Sequence, residues 1–238
     1  MTQQALTRWF PDSAEPKLAP SKVPTPRVAV CLSGGECKVT LRAWTRRGYR
    51  ALDEADDPRA RAGRVAFACA LPSCVDLASA GARWWKKKRA RNPNFQTEAI
   101  AMLKETERTL RALGAPYVIL TPGSPTIKKL WKAPSAVISP HHYSGYLPET
   151  FEHPSHGQVV PNQDRYHKKT YVFAGNGLVL PRRKPRPPVW KFKRSKKTGK
   201  TVKVSPVLAK RKHRAARRLA PLGFMEALAQ LHAKELSG

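Results

Sequence analysis

Arg64–Leu71 reads RVAFACAL, an unbroken apolar run of strand length bounded by Gly63 and Pro72. A run of this kind suits a strand covered on both faces, as in a parallel sheet flanked by helices. The segments on either side supply the rest of such a sheet. Upstream, Arg27–Leu32 (RVAVCL) is a second buried-strand run, closed by the turn Ser33-Gly34-Gly35. Cys37–Arg47 then carries Val39, Leu41, Ala43 and Trp44 at roughly helical spacing. Tyr49–Leu52 reads as another strand, ending in the acids Asp53, Glu54, Asp56 and Asp57. Downstream, Asn94–Leu113 predicts a helix with Phe95, Ala99, Met102, Thr106, Leu110 and Leu113 on one face, ended by Gly114. Pro116–Leu120 (PYVIL) is a further buried strand, followed by the turn Thr121–Pro125. Strand, helix, strand, strand, helix, strand predicts an α/β fold with a mostly parallel sheet flanked by helices. Ligands of such sheets sit at the carboxyl ends of the strands. Those ends are Ser33-Gly34-Gly35, Asp53-Glu54, Pro72-Ser73-Cys74 and Thr121-Pro122-Gly123.

The remaining segments divide by composition. Residues 1–26 hold five prolines and no periodicity, and read as an extended arm before an α/β domain at 27–140. Residues 141–181 are rich in Pro, Gly, His and Tyr without a helical or alternating period, the composition of a site-building or nucleic-acid-facing loop region. From Arg165 to Met225 there are 20 Lys/Arg and no acid. Within that stretch, 182–213 reads as an irregular basic extension: extended at Pro181–Val189, then mobile at Lys191–Lys203 until a polyanion binds. Residues 214–238 return to helical character, with Phe224, Ala227, Leu228 and Leu231 on one face.

The net charge of +29 points to a polyanionic partner, nucleic acid first. No apolar run is long enough to span a membrane, and the first residues lack a secretory h-region. Cys31, Cys37, Cys69 and Cys74 do not make a disulfide framework in a chain of 238 residues. The expectation is a cytoplasmic protein with reduced thiols.

Several residues are candidates for chemistry. Cys74 leaves a buried strand in a Pro-Ser-Cys turn, close in sequence to Arg83, Lys86, Lys87, Lys88 and Arg89. Neighbouring positive charge favours the thiolate and suits a nucleophile, whereas Cys69 on the strand reads as core. Ser33-Gly34-Gly35 suits close approach of a cofactor, although Glu36 opposes a phosphate there. The acids at 53–57 suit a ribose, or else form a solvated loop. The spacings of the cysteines with His141, His142, His153 and His156 fit no structural zinc pattern, so no metal is expected. Trp84, Trp85, Tyr143, Tyr146, Tyr166 and Tyr171 lie among cations, where aromatics serve either base stacking or packing. The expected nucleic-acid contacts are Arg83, Lys86, Lys87, Arg165, Tyr166, Lys168, Lys169, Arg182, Arg183, Arg186, Lys193 and Arg194.

Four blocks in order resemble the phage- and mobile-element-encoded relatives of DNA cytosine-5 methyltransferases. VCLSGGECKVTLRAWTRRGY (Val30–Tyr49) is similar to the cofactor loop and its helix. ALPSCVDLASAGARWWKKK (Ala70–Lys88) resembles the block PPCT-x-L-A-x-SGARW. PYVILTPGSPTIKKLWKAP (Pro116–Pro134) stands where that family has its ENP turn. The last block, Tyr143–Pro181, resembles GGYLP…P-x-D-x-Y-x-KKT…GNG, and Arg214–Leu228 resembles the ending RS-x-TP-x-GFA. The resemblance implies a Rossmann-like domain binding S-adenosylmethionine, with Ser33, Gly34, Gly35, Asp53 and Pro72 around the cofactor. It implies Cys74 as the nucleophile on a flipped-out cytosine of DNA. The chain departs from the pattern at three points: Pro-Ser-Cys replaces Pro-Pro-Cys, Leu120 and Thr121 replace the acid and amide of ENP, and Val30-Cys31 lack the first-strand acid. Two readings follow: a methyltransferase using Cys74, or an inactive descendant that binds DNA or RNA, for example a virion-associated packaging factor. A third, an RNA-associated basic protein unrelated to methyl transfer, leaves the ordered blocks unexplained.

Overall fold

The computed structural model describes residues 27–32, 37–53, 65–195, 199–209, 213 and 215–235. The expected arm at 1–26, the turn Ser33-Gly34-Gly35 and the acids Glu54, Asp56 and Asp57 lie outside them. The elements are β1 (Val28–Leu32), α1 (Cys37–Thr45), β2 (Arg50–Asp53), β3 (Val65–Ala70), α2 (Trp85–Arg91), α3 (Phe95–Ala112), β4 (Tyr117–Pro122), α4 (Pro125–Leu130), β5 (Ala136–Ile138), β6 (Thr170–Gly175), β7 (Lys191–Arg194), β8 (Thr201–Val204) and α5 (Leu222–Glu235).

The main sheet has six strands in the order β2-β1-β3-β4-β6-β5. The first four are parallel, and β6 runs antiparallel between β4 and β5. The apolar runs sort by the two-residue strand period. Ala29, Cys31, Phe67, Cys69, Val118, Leu120 and Val172 face α1 and α5. Trp44 of α1 is fully buried and stacks on Phe67 at 4.3 Å between ring centroids. Val30, Ala68, Ala70, Ile119, Tyr171 and Phe173 face the opposite side, with Ile100, Leu103 and Leu110 of α3 and Ile127 of α4.

The α3 stripe is rotated from the expected one. Ile100 and Leu103 are buried, whereas Met102 is 44 % exposed and Thr106 spends its hydroxyl on the Met102 carbonyl. Three further elements correct the sequence reading. β6 lies inside the stretch read as irregular. β7 and β8 pair where a mobile segment was expected. Cys31 and Cys37 are joined by a disulfide across the β1–α1 turn, against the expectation of reduced thiols, while Cys69 and Cys74 are free and buried.

α5 is a core element. Phe224, Met225 and Leu228 join the cluster around Trp44, and residues 222 to 229 are all buried. Its Glu226 pairs with Arg46 (2.5 Å) and Arg47 (2.7 Å) at the end of α1. The helix approaches the irregular region so closely that a Cβ on Gly223 would lie 2.4 Å from the Tyr143 carbonyl oxygen. That oxygen is backbone and cannot turn aside. Gly223→Ala is therefore expected to cost about 1–3 kcal/mol by overpacking, read by chemical denaturation.

Residues 139–169 are held by side chains rather than by a ladder. Asp164 accepts from the Leu222 amide at 2.6 Å, at the start of α5. The Tyr143 ring meets Phe224 edge-on at 4.9 Å. Gln163 donates to the Leu147 carbonyl at 2.9 Å. A strap at 181–189 is pinned along this region by Gly145 N to Lys184 O (2.9 Å), Arg186 N to His141 O (3.0 Å) and Val189 N to Arg165 O (2.7 Å).

Candidate functional site

Sheet direction fixes where a site can form. β2 and β3 lie on opposite sides of β1, so the strand order switches direction at β1, the arrangement in which such sheets bind ligands outside their carboxyl ends. Asp53 ends β2 opposite Cys31, at the carboxyl end beside that switch. Pro72 follows β3 on the other side. Ser33, Gly34 and Gly35, expected around the cofactor, lie outside the described residues.

Cys74 is placed after β3 as expected, but its surroundings differ. It is buried against Leu77 in the α3-side core, and its thiol points to the Pro72 carbonyl at 3.4 Å. Burial pushes the thiol up to about 12. The basic run at Arg83–Arg89 does not offset that burial, so the thiol stays protonated at neutral pH and the thiolate expectation is corrected. The turn after β4 also carries no acid. Leu120 and Thr121 are buried, and Ser124 donates to the Leu77 carbonyl at 2.5 Å, tying the two turns together.

The cations sort into two groups. Arg83, Lys86 and Lys87 are exposed on α2 and the 3-10 turn before it, and α2 buries none of its residues. Lys88 is taken by Asp76. Arg83 lies 5.2 Å over the Trp84 ring, which is 47 % exposed. Lys169, Arg182, Arg183 and Arg186 are exposed, with Arg186 3.8 Å from Glu149. Arg165 is half-buried and donates to the Pro187 carbonyl at 3.0 Å. Lys193 and Arg194 are exposed on β7.

Tyr166 and Lys168 do not belong with these. Tyr166 is fully buried. The Lys168 ammonium donates to the Leu219 carbonyl at 2.9 Å, and burial brings it down to about 8 against the pull of Asp164. Asp164 and Tyr166 of DRYHK are therefore buried, and Lys168 is half-buried with its ammonium turned onto a backbone carbonyl. Tyr143 and Tyr171 are core residues as well, leaving Trp84, Trp85 and Tyr146 as the accessible members of the expected aromatic set.

Two features of this edge were missed in the sequence. His167 stacks on Trp190 at 5.6 Å, with His141 5.9 Å from His167 and 4.5 Å from His142. Burial holds His142 down at about 4 and lowers His141, so both present neutral rings at pH 7. A cavity of about 320 Å³ opens between the irregular region and the strap, lined by Glu149, Gln163, Arg165, Arg186 and Pro187. The signal for both was the spacing of aromatics and arginines around the prolines of the strap.

Among the described residues no cluster of three His, Cys, Asp or Glu side chains is arranged to hold a metal ion. None of the described helices is long and apolar enough to cross a membrane. Comparison with protein families, curated proteins and solved structures finds no match for this chain.

Proposed function

We propose that this chain is a nucleic-acid-binding protein built on a methyltransferase-like α/β sheet, whose working surface is the cationic carboxyl edge. The observation that carries the reading is convergence. α2 leaves the carboxyl end of β3, residues 139–169 leave the carboxyl end of β5, and the strap is bonded to those residues. The exposed cations of separate segments thus gather on one side of the sheet. A polyanion laid along that edge meets many ammonium and guanidinium groups and few acids, and counterion release then drives binding.

The strand order β2-β1-β3-β4 with its switch at β1 supports the Rossmann-like part of the reading. For S-adenosylmethionine the described residues fit in part. Asp53 stands where an acid accepts from a ribose hydroxyl, and Pro72 follows β3 on the other side of the switch. These residues would hold the cofactor, which supplies an electrophilic methyl group. The position of Asp53, together with a cysteine just beyond β3, favours active methyl transfer as a second reading. The protonated, buried state of Cys74 and the lack of an acid at Leu120-Thr121 favour binding without transfer.

The test is transfer of a labelled methyl group from S-adenosylmethionine to duplex DNA, beside a binding titration, for wild type and Cys74→Ala. The expected result is salt-sensitive binding that is the same in both proteins, with no label that depends on Cys74. Label in cytosine that vanishes with Cys74→Ala would replace this reading by the enzymatic one.

A further inference from the structure

We propose that the β7–β8 hairpin is a ribbon that enters the major groove of B-form duplex DNA. The inference rests on the nucleic-acid reading above and narrows it to one form of nucleic acid. The hairpin is a two-stranded sheet separate from the main one. All four residues of β7 and the first three of β8 are exposed. A free two-stranded ribbon is marginal in water, yet this one is fixed at both feet. Trp190 stacks on His167 before β7. Ser205 and Val207 are buried after β8, Val207 in a cluster with Val160, Tyr166 and Leu219. The far end is closed by the Ser195 amide bonding the Lys200 carbonyl at 2.8 Å.

The register separates the two faces. Lys191, Lys193, Val202 and Val204 share one, and the Lys193 ammonium reaches back to the Ala209 carbonyl. Phe192, Arg194, Thr201 and Lys203 share the other. Phe192 is 65 % exposed, the highest value among the large apolar side chains described. A single outward face therefore holds an aromatic ring, a guanidinium, a hydroxyl with a methyl group, and an ammonium. Those groups read a major groove: Arg spans the O6 and N7 of guanine, Phe and Thr meet the thymine methyl, and Lys takes phosphate. Neighbouring strands lie about 4.8 Å apart, and a groove about 12 Å wide admits two of them with their side chains. The major groove of A-form RNA is too deep and narrow for such a ribbon. No acid occurs between Lys191 and Val204 to oppose the phosphates.

The experiment compares wild type with the triple variant Phe192→Ala/Arg194→Ala/Lys203→Ala. The probes are a short DNA duplex, an RNA duplex of the same sequence and phosphatidylserine vesicles, with methylation protection of guanine N7 on the DNA. DNA affinity is expected to fall roughly 10- to 100-fold in the variant, with loss of N7 protection and an unchanged melting temperature. Arg194→Lys keeps the charge but not the fork, and is expected to reduce N7 protection while staying within a few-fold of wild-type affinity. Equal losses on RNA and DNA, a loss confined to vesicles, or DNA binding unchanged in the triple variant would each overturn the ribbon. The last of these would leave the nucleic-acid reading standing. A wild-type protein that binds no nucleic acid would remove both.

Discussion

Asp164→Ala is expected to lower stability by about 2–3 kcal/mol, the cost of leaving a buried amide without its acceptor. Asp164 is fully buried, with one carboxylate oxygen on the Leu222 amide. Its charge also attracts the half-buried Lys168, whose ammonium donates to the Leu219 carbonyl. Removing the carboxylate leaves the Leu222 amide at the start of α5 without its acceptor. It also releases the reason for two adjacent left-handed residues, Gln163 at φ 59° and Asp164 at φ 55°, a conformation retained only where the surroundings enforce it. Asp164→Asn keeps an acceptor for Leu222 and is expected to cost less. The pair also differ in pH dependence. Burial raises the Asp164 carboxyl to about 7, against the pull of the Leu222 and Gly223 amides and of Lys168. The folded chain therefore holds this proton more tightly than the unfolded chain, where a carboxyl titrates near 4. Its contribution is complete below about pH 4 and is lost as pH rises through about 7. The difference in melting temperature between wild type and Asp164→Asn should shrink across that window. A difference that is flat from pH 4 to 8 would count against a buried, shifted Asp164.

What the sequence made legible follows from where apolar residues were continuous. β1, β3 and β4 were visible because strands covered on both faces need unbroken runs such as VAVCL and VAFACA. α3 was visible by length, but its face was misjudged. Phe95 and Leu110 fit both the expected stripe through Met102 and Thr106 and the buried one through Ile100 and Leu103, and only the sheet decides which is covered. β6 was hidden among turn formers, being six residues followed by Asn176 and Gly177 in left-handed geometry. β7–β8 was hidden for the opposite reason: a ribbon exposed on both strands needs no apolar face. At the site, the carboxyl-end positions of Asp53 and Cys74 followed from topology. The state of Cys74 did not, because its burial depends on a cluster that includes Ile119 of β4 and Ile127 of α4, which are remote in sequence. The DRYHK stretch misled because Lys and Tyr beside Arg look like a nucleic-acid face until Asp164 is seen to bind α5.

Replacing Arg83, Lys86 and Lys87 together by Gln is expected to weaken duplex binding roughly 100-fold at physiological salt and to lower the salt slope by about 2.7, at about 0.9 per phosphate contact. The three side chains are exposed, and α2 contributes no residue to either core, so the fold has little to lose. Gln has nearly the helix propensity of Lys and Arg, so α2 itself should persist. Lys88 is excluded because Asp76 already neutralises it. Trp84 stays in place and continues to offer its exposed ring, so what is lost is charge rather than stacking surface. Lys168→Gln is the matched control. It removes one cation as well, but a half-buried one turned onto the Leu219 carbonyl, and should destabilise the protein while leaving the salt slope unchanged. The contrast separates electrostatic contact from indirect damage, since a binding loss caused by partial unfolding carries no reason for a smaller slope. If α2 and the β7–β8 ribbon touch different phosphates of one duplex, their slope changes should add. A slope that the α2 variant leaves at its wild-type value would move the interface off this helix and onto the strap.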